Sequence, residues 1–217
     1  MTIADSSDRA GADGGIARTI RGFVIHKGLL DAPAQAALMA EVERIWAEAP
    51  PQRPVTRRGK PMSVAMTSAG TMGWTTDRRG YRYEARQPDG RPWPPIPAAL
   101  LDLWGNVTGA PVPPDSCLVN LYRADARMGL HQDRDEAELH WPVVSVSLGD
   151  DALFRIGNPE RGGATESVWL GSGDVVVMAG AARLIHHGID RIRPGTSALV
   201  PGGGRVNLTL RVAGPTA

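Results

Sequence analysis

Two residues of one polar stretch have the side chains and the spacing that a metal centre requires. His131 and Asp133 lie two positions apart in the segment "GLHQDRDEAELHW". In an extended chain, side chains two positions apart project to the same side, so an imidazole and a carboxylate could bind one ion. A solvated, charged surface loop is the alternative interpretation.

A third metal ligand must come from another part of the chain. The remaining histidines are His26, His140, His186 and His187. The segment "RLIHHGI" follows the apolar run "VVVM", so we expect a neighbouring strand to bring one of its histidines to the site. Two histidines and one carboxylate form the facial triad that is typical of Fe(II) oxygenases, which leave positions open for a cosubstrate and O2. Zinc hydrolases use similar ligands.

The segment "RVNLTLR" near the C-terminus predicts a strand that could bind an anion. Strand alternation places one set of polar side chains on a single face, and these are Arg205, Asn207, Thr209 and Arg211. Two guanidinium groups on an inward face would be costly to bury without an anion, and arginine pairs strongly with carboxylates. Asn120 and Tyr122 alternate in the same way and could contact the same anion. A solvated arginine face is the alternative.

The composition is that of one ordinary globular domain. The chain has 217 residues, of which 42% are hydrophobic and 22% charged, enough to bury a sizeable core. The net charge of +1 means that nucleic-acid binding would depend on local basic patches. The single cysteine, Cys117, excludes an internal disulfide and indicates a reducing cytoplasm. Since neither a signal peptide nor an apolar run of about 20 residues is recognisable, we expect no membrane association.

Local patterns predict helices first and strands afterwards. Asp31 is a suitable N-cap for an amphipathic helix over residues 33–48, and a second, shorter helix is predicted from Pro97 to Gly105. "GFVIHKGLL" is predicted to be a strand. Beyond Pro114, short β-type runs separated by glycine, proline and aspartate predict a sandwich or barrel. The expected fold class is therefore α+β in one domain.

Several motifs in order resemble those of one enzyme family. They are N-L-Y (120–122), H-Q-D-x-D-E (131–136), H-G-I (187–189) and R-x-N-L-T-x-R (205–211). With "MSVAMTSAGTMGWTTDRRGYRY" and "RPWPPIP", they resemble the AlkB-type alkylated-nucleic-acid repair dioxygenases, in particular the bacterial branch. The resemblance extends over residues 20–212. It implies a double-stranded β-helix, or jelly-roll, core and an enzyme that uses Fe(II), 2-oxoglutarate and O2 to demethylate N-alkylated bases such as 1-methyladenine and 3-methylcytosine.

The resemblance also assigns the metal ligands, which double as the catalytic residues. They are His131, Asp133 and His187, because the histidine directly before Gly188 matches the motif. His186 is then expected to point the other way, and His140 is expected to have no special role.

For 2-oxoglutarate, the resemblance implies contacts from two strands. The residues concerned are Asn120, Leu121, Tyr122, Arg205, Asn207 and Arg211. Arg205 and Tyr122 are expected at the distal carboxylate, and Arg211 nearer the metal. Six strand residues span up to about 20 Å, so one compact ligand cannot contact both guanidinium groups unless the side chains lean together.

The substrate side of the resemblance is a recognition lid with aromatic walls. The expected substrate contacts are Met66, Trp74, Tyr81, Arg82, Tyr83, Asp135 and Arg161. A carboxylate at Asp135 suits a cationic methylated base, an aromatic face also attracts such a base, and Arg82 and Tyr83 would extend the lid toward phosphates. A basic patch of Arg57, Arg58 and Lys60 has weaker support.

The resemblance further implies an overall organisation. We expect a flexible N-terminal arm at residues 1–18 and a single dioxygenase domain at 19–217, with the lid at 57–95 and the jelly-roll core at 115–213. The expected partner is alkylated single- or double-stranded DNA, with RNA also open, and the expected state is a monomer. The alternatives are a related dioxygenase acting on modified RNA or protein, and a non-catalytic binder of alkylated nucleic acid.

Overall fold

The computed structural model describes residues 17–56, 59–77 and 79–216. Most of the predicted N-terminal arm lies outside these ranges, as do Arg57 and Arg58 of the predicted basic patch. The last two residues of the predicted arm, Ala17 and Arg18, belong to the first strand.

Two helices cover one side of the molecule. Helix α1 spans Ala32–Glu48, and the Asp31 side chain caps it by accepting a hydrogen bond from the backbone N–H of Ala34 at 2.9 Å. Helix α2 spans Ala98–Thr108, so the prediction of an end at Gly105 is wrong. Gly105 is exposed inside the helix, and the helix ends instead at Gly109, whose left-handed φ of 61° is easy for glycine.

Among the described residues, thirteen strands form the sheets. They are β1 (Ala17–Ile20), β2 (Phe23–His26), β3 (Ala65–Gly70), β4 (Gly73–Asp77), β5 (Gly80–Glu84), β6 (Ser116–Tyr122), β7 (Met128–His131), β8 (Val143–Gly149), β9 (Asp151–Ile156), β10 (Glu166–Leu170), β11 (Val175–Met178), β12 (His187–Arg193) and β13 (Arg205–Arg211). The predicted strand "GFVIHKGLL" is shorter than expected, because regular pairing ends at His26.

The strands form two facing sheets and a separate hairpin. The large sheet has the order β1-β2-β11-β8-β13-β6-β3, the small sheet has the order β10-β9-β12-β7, and β4 pairs with β5. Apolar residues of both sheets, such as Leu118 and Val176 from the large one and Phe154 and Ile156 from the small one, pack in a common core. This is the predicted jelly-roll architecture. Among the described residues, no helix is long and apolar enough to span a membrane.

Strand β13 lies between two differently composed layers. Its residues Val206, Leu208 and Leu210 pack with the helices in a second core, which also contains Leu38 and Trp104. The alternate face of β13 therefore points into the space between the sheets, and its two arginines are buried there.

Part of the segment predicted to be a lid belongs to the large sheet. Strand β3 pairs with β6 along its whole length, from Ala65 opposite Leu121 to Gly70 opposite Ser116. The β4–β5 hairpin has its own pairing and follows directly after β3. Within residues 57–95, the hairpin is thus the element available to act as a lid, whereas β3 supports the core.

Candidate active site

Strands β7 and β12 bring two histidines together, and the loop after β7 adds a carboxylate. His131 and His187 are direct partners in the antiparallel pairing, and their ring centres are 4.7 Å apart. Asp133 lies just beyond the end of β7, so its position depends on the loop rather than on an extended strand as predicted. The ligand atoms of the three residues lie within 4.8 Å of one another. Each histidine Nε2 is 3.7 Å from an oxygen of Asp133.

Backbone carbonyls orient both imidazoles toward this centre. His131 Nδ1 lies 2.9 Å from the carbonyl oxygen of Gly129, and His187 Nδ1 lies 3.0 Å from that of Ile185. An Nδ1–H that donates to these carbonyls leaves the Nε2 lone pair free on the side of Asp133. Metal-binding histidines are commonly oriented in this way.

The protonation states at the centre suit a divalent cation. Burial, together with the nearby His131, lowers the pKa of His187 to about 4, so its ring is neutral near pH 7. Burial opposes ionisation of Asp133, but Arg211 and the two histidines outweigh it and hold its pKa below the usual range. A set of two imidazoles and one carboxylate fits Fe(II) and leaves coordination positions open.

Arg205, the first residue of β13, is buried, and its positive charge is not fully compensated by the groups around it. Its side chain is 1% exposed, its Nη2 donates to Ser147 Oγ at 3.0 Å, and its guanidinium carbon is 5.3 Å from the ring centre of Tyr122. Its Nε and Nη1 have no hydrogen-bond partner within the described parts of the chain. Burial lowers the pKa of Arg205, which indicates how unfavourable this environment is for its charge. Two unpaired donors of a buried guanidinium fit the carboxylate of a bound 2-oxoglutarate.

Arg211 has the opposite environment, although it lies on the same face of the strand. Its Nη2 is 2.9 Å from Asp133 Oδ1, and its Nε is 3.0 Å from Glu136 Oε1. Burial works against its charge, but the two carboxylates more than offset this effect and raise the pKa of Arg211. The expected placement of Arg211 near the metal end agrees with these contacts.

The amide side chains predicted at the cosubstrate site already form hydrogen bonds with other side chains of the protein. Asn207 donates to Ser145 Oγ at 2.7 Å and accepts from Thr209 at 3.0 Å. Asn120 donates to Asn207 at 3.4 Å, and its own Oδ1 has no partner among the described residues. The Leu121 side chain packs in the core beside the helices, as strand alternation requires. A contact of Leu121 with 2-oxoglutarate stays a prediction, and it would have to be made by the backbone.

A single cavity of about 410 Å³ joins the triad, Arg205 and the hairpin. It is large enough for a drug-sized ligand. Of the predicted substrate contacts, six line it: Met66, Trp74, Tyr81, Tyr83, Asp135 and Arg161. The remaining predicted contact, Arg82, is not among its lining residues.

Both strands of the β4–β5 hairpin reach the loop that carries Asp133. The Trp74 and Tyr81 rings stack with centres 5.4 Å apart, and Trp74 Nε1 donates to Asp135 at 3.1 Å. On the neighbouring strand, the Tyr83 hydroxyl donates to Glu136 at 3.3 Å. These contacts hold an aromatic wall over the metal-binding residues.

Arg82 is engaged within the hairpin itself. Its guanidinium pairs with Asp77 at 3.0 Å and with Glu84 at 2.5 Å. The hydrogen bonds from Arg82 and Arg79 lower the pKa of Asp77. A phosphate contact by Arg82 stays a prediction, and it would have to compete with these carboxylates.

Two charged residues at the site were not predicted. Glu136 follows the predicted ligands in the sequence, and its position at the end of the motif H-Q-D-x-D-E could have indicated that it lies at the site. Arg183 is buried beside it and had no recognisable signal, because its partners lie far away in the sequence.

The two histidines that were not expected to bind the metal lie outside the triad. His186 Nδ1 contacts the carbonyl oxygen of Asn158 at 2.9 Å, so this ring is held away from the triad. His140 is exposed.

Comparison with known proteins agrees with this geometry. The family model described as "2OG-Fe(II) oxygenase superfamily" matches residues 22–211. The chain belongs to this superfamily.

Its relatives place this oxygenase in the AlkB type. A protein of Caulobacter vibrioides named "Alpha-ketoglutarate-dependent dioxygenase AlkB homolog" is 59% identical over 195 residues, which cover 89% of each chain. The "Alpha-ketoglutarate-dependent dioxygenase AlkB" of Escherichia coli is 41% identical over 186 residues, covering 83% of this chain and 86% of the relative. The solved structure of OsALKBH1 has a TM-score of 0.79 at 31% identity and covers 90% of this chain and 99% of that one.

This AlkB-type oxygenase is therefore a dioxygenase that depends on Fe(II) and 2-oxoglutarate, with O2 as a cosubstrate. Its own residues fit that requirement at both ends of the cavity, with the triad at one end and the unpaired donors of Arg205 at the other.

Proposed function

We propose that the protein repairs nucleic acids by oxidative demethylation of N-alkylated bases, of the 1-methyladenine and 3-methylcytosine class. The observation that supports this proposal is the single cavity that joins the metal triad to a stacked Trp74–Tyr81 wall and the Asp135 carboxylate. When bound, Fe(II), 2-oxoglutarate and O2 supply the oxidation that removes the methyl group as formaldehyde and leaves succinate and CO2.

In this proposal, the protein positions the reactants. His131, Asp133 and His187 hold the metal through two Nε2 atoms and one carboxylate. Arg205 binds the distal carboxylate of 2-oxoglutarate through its unpaired Nε and Nη1. The Tyr122 hydroxyl adds a donor there, because burial raises its pKa to about 12 and it stays protonated. Asn120, Asn207 and Arg211 border the same space.

Recognition of the base follows from its charge and its plane. A base methylated on a ring nitrogen is cationic near neutral pH, so it gains from a carboxylate and from an aromatic face. Asp135 is exposed and supplies the carboxylate, and Trp74 and Tyr81 supply the face. A carboxylate has two oxygens, so Asp135 can accept a hydrogen bond from the base while its Oδ2 keeps the hydrogen bond from Trp74.

The methyl group of such a base is inaccessible inside a duplex. The base must be flipped out of the stack or presented in a single strand. Arg161 and Met66 border the cavity and would contact the extruded nucleotide. Alkylated single- or double-stranded DNA is the proposed substrate, and RNA with exposed bases meets the same requirements.

The remaining features of the proposal concern the organisation of the chain. We infer a single domain with the β4–β5 hairpin as its lid, acting as a monomer. The free, buried Cys117 supports a reducing compartment such as the cytoplasm.

Single-turnover chemistry tests this proposal. The protein is loaded anaerobically with Fe(II) and 2-oxoglutarate, then mixed with O2 and an oligonucleotide containing 1-methyladenine or 3-methylcytosine. We expect formaldehyde and succinate in equal amounts, together with the unmodified base. Asp133→Ala should yield neither product above background, and Arg155→Met, which removes a partly exposed arginine paired with Asp190, should behave as wild type.

The outcome also separates the alternatives. Absence of formaldehyde with every methylated oligonucleotide would refute the demethylase proposal. A panel of methylated DNA, RNA and protein substrates distinguishes a related dioxygenase, and succinate formation distinguishes any enzyme from a non-catalytic binder.

A further inference from the structure

Arg183 is a buried arginine that lies in the segment before His187 and contacts the loop that carries Asp133. Its side chain is 4% exposed. Its Nε donates to the carbonyl oxygen of Trp141 at 2.8 Å, and its Nη1 donates to the carbonyl oxygen of Asp133. Its Nη2 lies 3.1 Å from Glu136 Oε2. All three nitrogens of the guanidinium are thus engaged by one loop.

The position of Arg183 in the chain explains why these contacts matter. It directly follows the 3-10 turn at Gly180–Ala182 and lies four residues before His187. The backbone between them is short, and Ile185, whose carbonyl orients the ring of His187, belongs to it. Arg183 therefore ties the segment of His187 to the loop of Asp133.

Glu136 is the acceptor around which this connection is built. Its carboxylate receives Arg183 on one oxygen, and Arg211 at 3.0 Å and the Tyr83 hydroxyl at 3.3 Å on the other. Arg211 in turn contacts Asp133 at 2.9 Å. Arg183, Glu136, Arg211 and Asp133 therefore form a buried chain of alternating charges, in which each charge has a partner of opposite sign. The hydrogen bond from Arg183 to the backbone carbonyl of Asp133 joins the two ends of this chain.

We propose that Arg183, acting through Glu136, is a positioning residue for the metal centre. It holds the Asp133 loop at a set distance from His187 by gripping the backbone of Asp133, and it fixes the Glu136 carboxylate that orients Arg211 against the Asp133 side chain. The metal-free centre is thereby held close to the geometry that the bound metal requires. This inference rests on the proposed function, in which His131, Asp133 and His187 bind the metal.

A purely structural role makes a different prediction. If Arg183 only stabilised the fold, its loss would lower the unfolding free energy but leave the metal affinity of the folded protein unchanged. If it positions the ligands, the folded variant must bind metal more weakly. Groups that orient metal ligands typically change affinity by about 10- to 100-fold when they are removed.

Metal affinity of the folded chain is therefore the decisive measurement. Mn(II) is titrated into the metal-free full-length protein, and free Mn(II) is followed by its electron paramagnetic resonance signal. For Arg183→Met, which keeps much of the side-chain bulk but none of the donors, we expect a Kd about 10-fold or more above wild type. Arg183→Lys keeps one donor group and should be intermediate. Arg155→Met, the control arginine on the small sheet, should match wild type.

A second readout follows the geometry of the centre. The visible absorption of the anaerobic Fe(II)–2-oxoglutarate complex should shift or weaken in Arg183→Met at saturating concentrations. If Arg183→Met does not fold, Glu136→Gln replaces it, because it keeps the shape while removing the charge that orients both arginines. We expect the same loss of Mn(II) affinity there.

The possible results distinguish a failure of the positioning role of Arg183 from a failure of the proposed function. Weak Mn(II) binding by the wild-type protein itself would count against the assigned ligands. Tight binding by the wild type, and equally tight binding by a folded Arg183→Met or Glu136→Gln variant, would overturn only the positioning role.

Discussion

The two buried arginines of β13 occupy equivalent positions on one strand and have opposite electrostatic environments. Arg211 is paired with Asp133 at 2.9 Å and with Glu136 at 3.0 Å. Among the described residues, Arg205 contacts the neutral groups Ser147 and the ring of Tyr122, and two of its nitrogens lack a partner. The carboxylate of Asp174 acts on its charge only weakly, since burial still lowers the pKa of Arg205. The charge of Arg211 is compensated inside the protein by two carboxylates, whereas the charge of Arg205 has no carboxylate in direct contact among the described residues.

This difference shows how one strand can serve two purposes. A compensated ion pair holds the metal carboxylate in place even without ligands, at the expense of burying several charges together. An uncompensated guanidinium is unfavourable in the free protein but provides affinity when a carboxylate arrives. The proposed cosubstrate site would thus contain a buried positive charge without a counter-ion, whereas the charges around the metal-binding residues neutralise one another.

The strongest test of this comparison is removal of the compensated arginine. Arg211→Met leaves Asp133 and Glu136 buried without one of their cations. We expect the unfolding free energy of the metal-free protein to fall by about 3–5 kcal/mol, measured by urea denaturation. If Arg205→Met destabilised the metal-free protein as much as Arg211→Met does, the two environments would not differ as described.

Removal of the uncompensated arginine should have the opposite pattern. Arg205→Met takes away a buried charge that lacks a counter-ion, so we expect the stability of the metal-free protein to be unchanged or higher. The Kd of 2-oxoglutarate should rise on the order of 100-fold, which corresponds to about 2.7 kcal/mol. Calorimetric titration in the presence of Mn(II) measures this change. Ser147→Ala, which removes only one hydrogen bond to Arg205, should raise the Kd much less.

The metal end of the comparison should also respond to pH. The pKa of His187 is lowered to about 4 in the folded protein, so between pH 6.5 and pH 4 the unfolded chain binds a proton that the folded chain does not. Stability must therefore fall as the pH falls through this window, by about 2 kcal/mol between pH 7 and pH 5. Urea denaturation of the metal-free protein at both values measures it. In His187→Gln, the fall in unfolding free energy between pH 7 and pH 5 should be smaller by this amount. An unchanged pH dependence in that variant would contradict the lowered pKa of His187.

The smallest effect is expected for a compensated arginine at the surface. Arg82 has two carboxylate partners, as Arg211 does, but its ion pairs are exposed to solvent, which weakens them. Arg82→Gln should leave the melting temperature almost unchanged. If Arg82 contacts a phosphate, the slope of log affinity against log salt for a methylated oligonucleotide should fall by about one.

A matched control for this substitution is Arg191→Gln, an exposed arginine on β12 outside the cavity lining. It should change neither the melting temperature nor the salt slope. Equal slopes for wild type and Arg82→Gln would remove Arg82 from the predicted phosphate contacts.

Much of the site could be predicted because it depends on short-range pattern. The spacing of His131 and Asp133 indicated a ligand pair, and the motif around Gly188 distinguished His187 from His186. The alternation in 205–211 correctly separated the face of Arg205 from the face of Leu208. The same rule, applied to β6, places the Leu121 side chain with Val119 in the core beside the helices.

Other features could not be predicted because they depend on distant segments. Arg183 and Asp133 are fifty positions apart, and only the packing of the turn before β12 against the loop after β7 brings them together. The assignment of β3 to the large sheet likewise depends on its pairing with β6, since its own sequence has no strong periodicity.

The residues of this chain specify which side chains face the cavity, because a strand has a period of two and the apolar residues between the polar ones require burial. They do not specify which arginine is neutralised. Electrostatic interactions depend on distance and burial, and for Arg205 and Arg211 both are set by loops and strands that lie far away along the chain. The folded structure alone placed two carboxylates beside one guanidinium and left the other open to a ligand.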